Sequence, residues 1–232
     1  YNKTNDATTE KDVRGGWYDA GDYNKYTNWT ADYIVSFMYA YLQTPSVWRD
    51  DYGIPESGNG VPDLLDEARW GIDHLLRMQL ADGSVLSIVG LSHASPPSSA
   101  AAPSYYGTVS TSATLNTAAA FALASKVFSA EGDTEYGNLL KAKAELAWQW
   151  ALENPNVIFK NNDAASGTIG LGAGQQEVDD YGRLAAKLEA ACFLFDLTGD
   201  AQYLNFFDAN YSQIHMIEWN FVFPFEPAQQ DM

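Results

Sequence analysis

The sequence predicts an all-α protein with long connecting loops, arranged as a helical array or barrel. Apolar residues recur at helical spacing in one segment after another, and clusters of Gly, Pro and Asn separate those segments. Few alternating apolar and polar runs compete as strands. No convincing short repeat accompanies the helical hairpins, so periodicity alone leaves the closing topology open. The 232 residues suffice for one large domain or two small ones.

With 46% hydrophobic and 14% aromatic residues, the chain is globular rather than a disordered acidic one. Thirteen basic and 30 acidic residues give a net charge of -17, a field that repels nucleic acid and anionic lipid but not a neutral ligand. No basic patch offsets it. No membrane-spanning stretch or signal peptide is read in the sequence, and the chain begins at Tyr1 without an initiator Met, compatible with processing or truncation that removed a targeting segment. Cys192 is the single cysteine, so no intrachain disulfide forms and the redox compartment stays open; its apolar neighbours predict a buried thiol. His74, His93 and His215 are too dispersed to suggest a histidine metal site.

Tyr1 to Lys11 is polar and reads as an extended lead-in or a loop. Ala31 to Leu42 places Ile34, Phe37, Met38 and Tyr41 on one helical face, with Trp29 expected in the core and Asp32 as a helix-end carboxylate. Thr44 to Gly60 bridges to a second helix. Pro62 suits its first turn, and Asp63, Asp66 and Glu67 suit its positive end as caps and polar contacts. Leu65, Ala68, Ile72, Leu75 and Leu76 form the apolar stripe of that helix. Ala81-Asp82-Gly83-Ser84 signals a turn before the apolar run Val85 to Val89, a short strand or hairpin. A Ser/Pro/Ala-rich segment through Pro103 follows, in which His93 is expected to be solvent-exposed or locally hydrogen-bonded.

Thr111 to Phe128 combines alanines with Leu115, Phe121, Leu123 and Val127 and reads as a buried helix, since alanine permits close packing at little side-chain entropy cost. Gly132 and Asp133 mark a boundary. Tyr136, Leu139, Leu140, Leu146 and Trp150 support a helix from about Thr134 to Leu152, on which Trp148 and Trp150 cannot share a face. Asn154-Pro155-Asn156 stops it, and a polar, Gly-rich loop runs from Asn161 to Gly174. Gly172-Ala173-Gly174 lacks the strand context of a phosphate loop, which excludes nucleotide binding there. Glu177, Asp179 and Asp180 open the next helix as caps, ahead of Leu184, Leu188, Ala191, Cys192 and Phe195. A further helical unit from Asp200 carries Tyr203, Leu204, Phe207 and Tyr211, and Trp219 to Pro227 reads as a loop.

The stretch with the most chemistry is Asp12-Val13-Arg14-Gly15-Gly16-Trp17-Tyr18-Asp19-Ala20-Gly21-Asp22-Tyr23-Asn24-Lys25-Tyr26. Two carboxylates three residues apart sit among glycines and aromatic rings. Aromatic faces stack on the apolar faces of sugars, and a carboxylate beside them deprotonates a water. Glycines permit the tight turns that point Asp19 and Asp22 into one cavity. The same composition also suits a loop whose carboxylates serve only turns and N-caps.

Together with Tyr52-Gly53-Ile54-Pro55-Glu56-Ser57-Gly58-Asn59-Gly60-Val61-Pro62-Asp63-Leu64-Leu65-Asp66-Glu67-Ala68-Arg69-Trp70-Gly71, this run closely resembles glycoside hydrolase family 9, the inverting cellulases and their relatives. The match is strongest through Ala68 and weaker afterward. The resemblance implies an (α/α)6 barrel or an incomplete portion of one, so that residues 1–232 form a catalytic domain lacking its C-terminal part. A glycan cleft lies at one end of such a barrel. Tyr105 to Thr114 resembles the region where family members enter a helix beneath that cleft.

The implied activity is inverting hydrolysis of β-1,4-glucosidic bonds in cellulose or cello-oligosaccharides. By position, Asp22 matches the family's general base and Asp19 the companion that holds the attacking water. Trp17 and Tyr18 are expected to contact sugar, one ring contributing directly while the other is structural. The family's general acid is a later glutamate; Glu218 and Glu226 do not match its motif and do not inherit its role. The alternative is a non-catalytic carbohydrate-binding or structural remnant without the acid. No organic cofactor is needed. Structural calcium fits the resemblance without assigned ligands, and secretion follows from a substrate met outside the cell. The oligomeric state stays open.

Overall fold

A computed structural model describes residues 1–4, 6–20, 23–90, 103–171 and 177–215. Its six α-helices are α1 (Thr27–Gln43), α2 (Asp63–Met78), α3 (Thr111–Ala130), α4 (Thr134–Glu153), α5 (Asp180–Thr198) and α6 (Ala201–Asn210), counted among the described residues. They form three packed pairs in two layers. α1, α3 and α5 lie side by side, while α2, α4 and α6 pack respectively against α1, α3 and α5. That alternation of inner and outer helices is the layering of an (α/α)6 barrel.

The inner layer is centred on α3, which is covered by α1, α4 and α5. Ala118, Ala119, Ala120, Ala122 and Ala124 are all buried, so small side chains meet neighbours on every side of this helix. Its closest approach is to α4: a Cβ at Gly137 would fall 2.0 Å from Ser129 Oγ. At the same crossing the Ser125 hydroxyl donates to Gly137 O at 2.7 Å. The carboxylates of Asp133, Asp179 and Asp200 accept main-chain N–H bonds at the starts of α4, α5 and α6, as expected for N-caps. Gly199 ends α5 with φ +70°, a left-handed conformation suited to glycine.

Several boundaries differ from the sequence expectations. α1 starts at Thr27 rather than Ala31 because the preceding residues form a strand that leads directly into it. The Thr27 amide donates to Ser87 O and its hydroxyl to Leu86 O, so polar residues open this helix inside the protein. The apolar run after the turn contributes β2 (Ile88–Gly90) to a three-stranded antiparallel sheet, between β1 (Lys25–Tyr26) and β3 (Tyr105–Tyr106). Lys25 pairs with Val89 and Gly90 with Tyr105, which fixes the start of α1 against chain more than sixty residues away. Cys192 is half-buried rather than fully buried, and its surroundings still raise the thiol pKa, mainly by desolvation. Trp148 is buried edge-on against Tyr203 and Phe206, while Trp150 is half-buried. His93, the loop Gly172-Ala173-Gly174, Glu218, Glu226 and the Trp219 to Pro227 segment lie outside the described residues.

Candidate active site

The glycine-rich loop approaches α1 through a set of ties to its main chain. Gly15 and Gly16 take φ of +92° and +65°, so both use the left-handed region that glycine favours. Three consecutive carbonyls in this turn each meet a side-chain donor. Arg14 O accepts from His74 Nδ1 and Arg77 Nη1, both at 3.3 Å. Gly15 O accepts from Lys25 Nζ at 2.5 Å, and Gly16 O accepts from Trp70 Nε1 at 3.0 Å. His74, Arg77 and Trp70 all stand on α2; Lys25 comes from β1, beyond the carboxylates in sequence.

His74 lies under this turn with no exposed surface, and a Cβ on Gly16 would sit 2.6 Å from its ring. Because Arg14 O can only accept, Nδ1 carries the proton of the neutral ring. Desolvation, reinforced by the charge of Lys25, lowers the His74 pKa to about 4. The imidazole is therefore neutral near pH 7 and leaves the turn without an added charge.

Beyond the turn the two aromatic residues separate in role. Trp17 inserts between α1 and α2. Its ring meets Tyr33 and Phe37 edge-on, its Nε1 donates to Glu67 Oε1 at 2.6 Å, and it fills the slot left by Gly71, where a Cβ would fall 2.2 Å from the ring. Tyr18 is 49% exposed, stands edge-on to Tyr23, and has Lys25 Nζ 4.6 Å from its ring centroid. Asp19 is half-buried, and its amide donates to Asn24 O at 3.0 Å, bringing the two limbs of the loop together. The Tyr33 phenol is shifted to higher pKa by burial and then by the Asp19 and Asp32 charges, which puts Asp19 within electrostatic reach of α1. Asp22 lies outside the described residues. Trp29 is half-buried and meets Tyr26 edge-on, in keeping with a core role.

A second polar centre surrounds the other end of α2. Asp50 accepts from the Gly58 amide at 2.5 Å and the Gly60 amide at 2.7 Å, and these bonds hold its carboxyl below the ordinary range. Asp63 Oδ2 accepts from Tyr52 N and Ser57 Oγ, while Asp66 Oδ2 accepts from Asn59 Nδ2. Asp63 stands in the first turn of α2, as expected, and its polar contacts fasten the preceding loop to the helix. Glu67 likewise serves Trp17. One oxygen from each of Asp50, Asp63 and Asp66 lies within 4.8 Å of the others. Asp63 Oδ1 is buried without a hydrogen-bond partner, an arrangement that fits a hard cation taking oxygen ligands. Sequence reading missed Asp50, whose only local signal is its place before the Gly58-Asn59-Gly60 turn.

A cavity of about 250 Å³, lined by Thr111, Leu115, Asn156, Arg183, Lys187 and Phe206 among others, shares no lining residue with either centre. Among the described residues, no helix is long and apolar enough to cross a membrane.

Comparison with known proteins bears on the whole arrangement. The chain is 34% identical over 215 residues to a cellulose 1,4-beta-cellobiosidase of Acetivibrio thermocellus, covering 84% of this chain and 23% of that protein. It is 33% identical over 200 residues to a cellodextrinase of Butyrivibrio fibrisolvens, covering 83% and 35% respectively. The solved structure of a metagenome-derived glycoside hydrolase family 9 endoglucanase superposes with a TM-score of 0.76 at 32% identity, covering 88% of this chain and 37% of that one. The chain thus spans roughly a quarter to two fifths of the length of these relatives. A family profile described as Glycosyl hydrolase family 9 matches residues 1–229, and with the two-layered helices and the fastened Asp19 loop on view, the chain belongs to that family.

Proposed function

We propose that this chain forms part of an inverting β-1,4-glucanase acting on cellulose or cello-oligosaccharides, with Asp22 as general base and Asp19 holding the water. The observation that carries this reading is the family match across residues 1–229, joined to a loop that holds Asp19 beside an exposed tyrosine ring. A water placed by Asp19 and deprotonated by Asp22 attacks the anomeric carbon from the face opposite the leaving oxygen. Inversion needs the acid roughly 6.5 to 9.5 Å from the base, so that water fits between them. No residue of residues 1–232 is assigned that acid. Tyr18 offers its ring to the sugar, and Trp17, occupied between α1 and α2, steadies the loop from below.

The chemistry requires no organic cofactor. Asp50, Asp63 and Asp66 would hold a calcium ion, which supplies a cross-link between the loop before α2 and the helix itself. The insoluble substrate of such enzymes supports a location outside the cell.

The test is reducing-end release from a soluble cello-oligosaccharide, with the product anomer read by NMR. The expected first product is the α-anomer. Asp22→Asn nearly abolishes turnover, and Asp19→Asn lowers it by a factor on the order of 100 or more. Normal hydrolysis by a folded Asp22→Asn protein sinks the assignment. Saturable oligosaccharide binding without release of reducing ends supports the second reading, a carbohydrate-binding remnant.

A further inference from the structure

The ties beneath the glycine turn are not equivalent. His74, Arg77 and Trp70 hold the incoming limb to α2, and their loss loosens that limb from its support. Lys25 does something else: it belongs to the outgoing limb and reaches back ten residues to Gly15 O. Its side chain is buried, with the ammonium aimed at that carbonyl and at the Tyr18 ring. Burial makes a bond from a charged donor stronger than its solvent-exposed counterpart. The carbonyl and the ring face together replace part of the hydration that the ammonium gives up.

A second link, Asp19 N to Asn24 O, joins the limbs further along the loop. β1 secures the outgoing limb in turn through the pairing of Lys25 with Val89. Position 19 therefore lies between limbs joined at Lys25, a residue that both pairs with the sheet beside Tyr26 and grips the glycine turn.

We propose that Lys25 is a positioning residue for the Asp19 carboxylate: its ammonium latches the two limbs of the loop together at Gly15 and Tyr18. The proposal rests on the hydrolytic reading of this site for its catalytic consequence and not for the latch itself. It acts through Asp19, without contact to the sugar.

The test combines amide exchange with turnover. In the 15N-labelled chain carrying Lys25→Met, the Asp19 amide exchanges about 10-fold faster or more, while the amides of α3 keep their rates. On a soluble cello-oligosaccharide, kcat falls about 100-fold with KM within about threefold of its original value. Lys25→Gln keeps a neutral N–H donor and gives intermediate exchange, and it carries the comparison if the methionine variant does not fold. Unchanged Asp19 exchange overturns the latch, as does acceleration shared equally by α3, which marks general destabilisation. Unchanged kcat in a chain with accelerated Asp19 exchange overturns the catalytic consequence. A wild-type protein that carries this chain together with the general acid and releases no reducing ends removes the hydrolytic reading, while the exchange comparison still decides the latch.

Discussion

The two ends of α2 fasten neighbouring loops by opposite means. Near its C-terminal end, His74, Arg77 and Trp70 present N–H donors to main-chain carbonyls. At its N-terminal end, Asp63 and Asp66 present oxygens to the N–H and O–H groups of residues 52–59. The helix dipole favours this division, with carboxylates at the positive end and a cation at the negative end. The consequences differ. Donor side chains close the carbonyls of the glycine turn, whereas the acidic end keeps one buried oxygen, Asp63 Oδ1, still without a partner. The donor end has a buried atom of the same kind, His74 Nε2, but that is a nitrogen of a neutral ring, whereas the oxygen at the acidic end has the chemistry of a hard-cation ligand.

The largest break in this comparison comes from Gly16→Ala. The new Cβ meets the His74 ring and the backbone must keep φ +65°, so overpacking and left-handed strain together cost about 4 kcal/mol. Denaturant unfolding measures it; a wild-type midpoint would show that the turn does not rest on His74.

Acid probes the same end next. The His74 pKa falls from 6.5 to about 4 on folding, so between those values the unfolded chain binds the extra proton. The contribution is fully present above pH 6.5 and is lost as pH falls through 4, about 3 kcal/mol in all. His74→Gln removes this part of the slope, and the difference between the two pH–stability curves isolates it from the carboxylates. Curves of equal slope across that window refute the buried neutral histidine.

The smallest of the three effects belongs to the acidic end. With calcium 100-fold above its dissociation constant, bound cation stabilises the fold by about 2.7 kcal/mol. A chelator removes that increment from the wild type and leaves Asp63→Ala unaffected by calcium or chelator. A melting temperature indifferent to calcium in the wild type dismisses the site.

Much of the helical frame was legible because it depends on local signals. Alanine density announced α3, the stripe of Leu65, Ala68, Ile72 and Leu75 announced α2, and Asp133, Asp179 and Asp200 stood where N-caps belong. The site was legible only in its composition. Lys25, Trp70 and His74 act on carbonyls 10, 54 and 60 residues away, and no helical or strand period encodes such a distance. Thr27, Asn28 and Thr30 open α1 with polar residues that are nevertheless buried, so an apolar-face reading starts the helix too late. Asp50 was invisible for a related reason: its partners are backbone amides, which every residue has.

Trp17 and Gly71 fit as ring and slot, and that fit restricts how the sequence can drift. A side chain arriving first at position 71 collides with the indole, while a small residue arriving first at position 17 opens a void between α1 and α2 and strands the Glu67 carboxylate. Either order passes through a damaged intermediate. The geometry therefore couples the two positions, so that a change at one is tolerated best when the other changes with it.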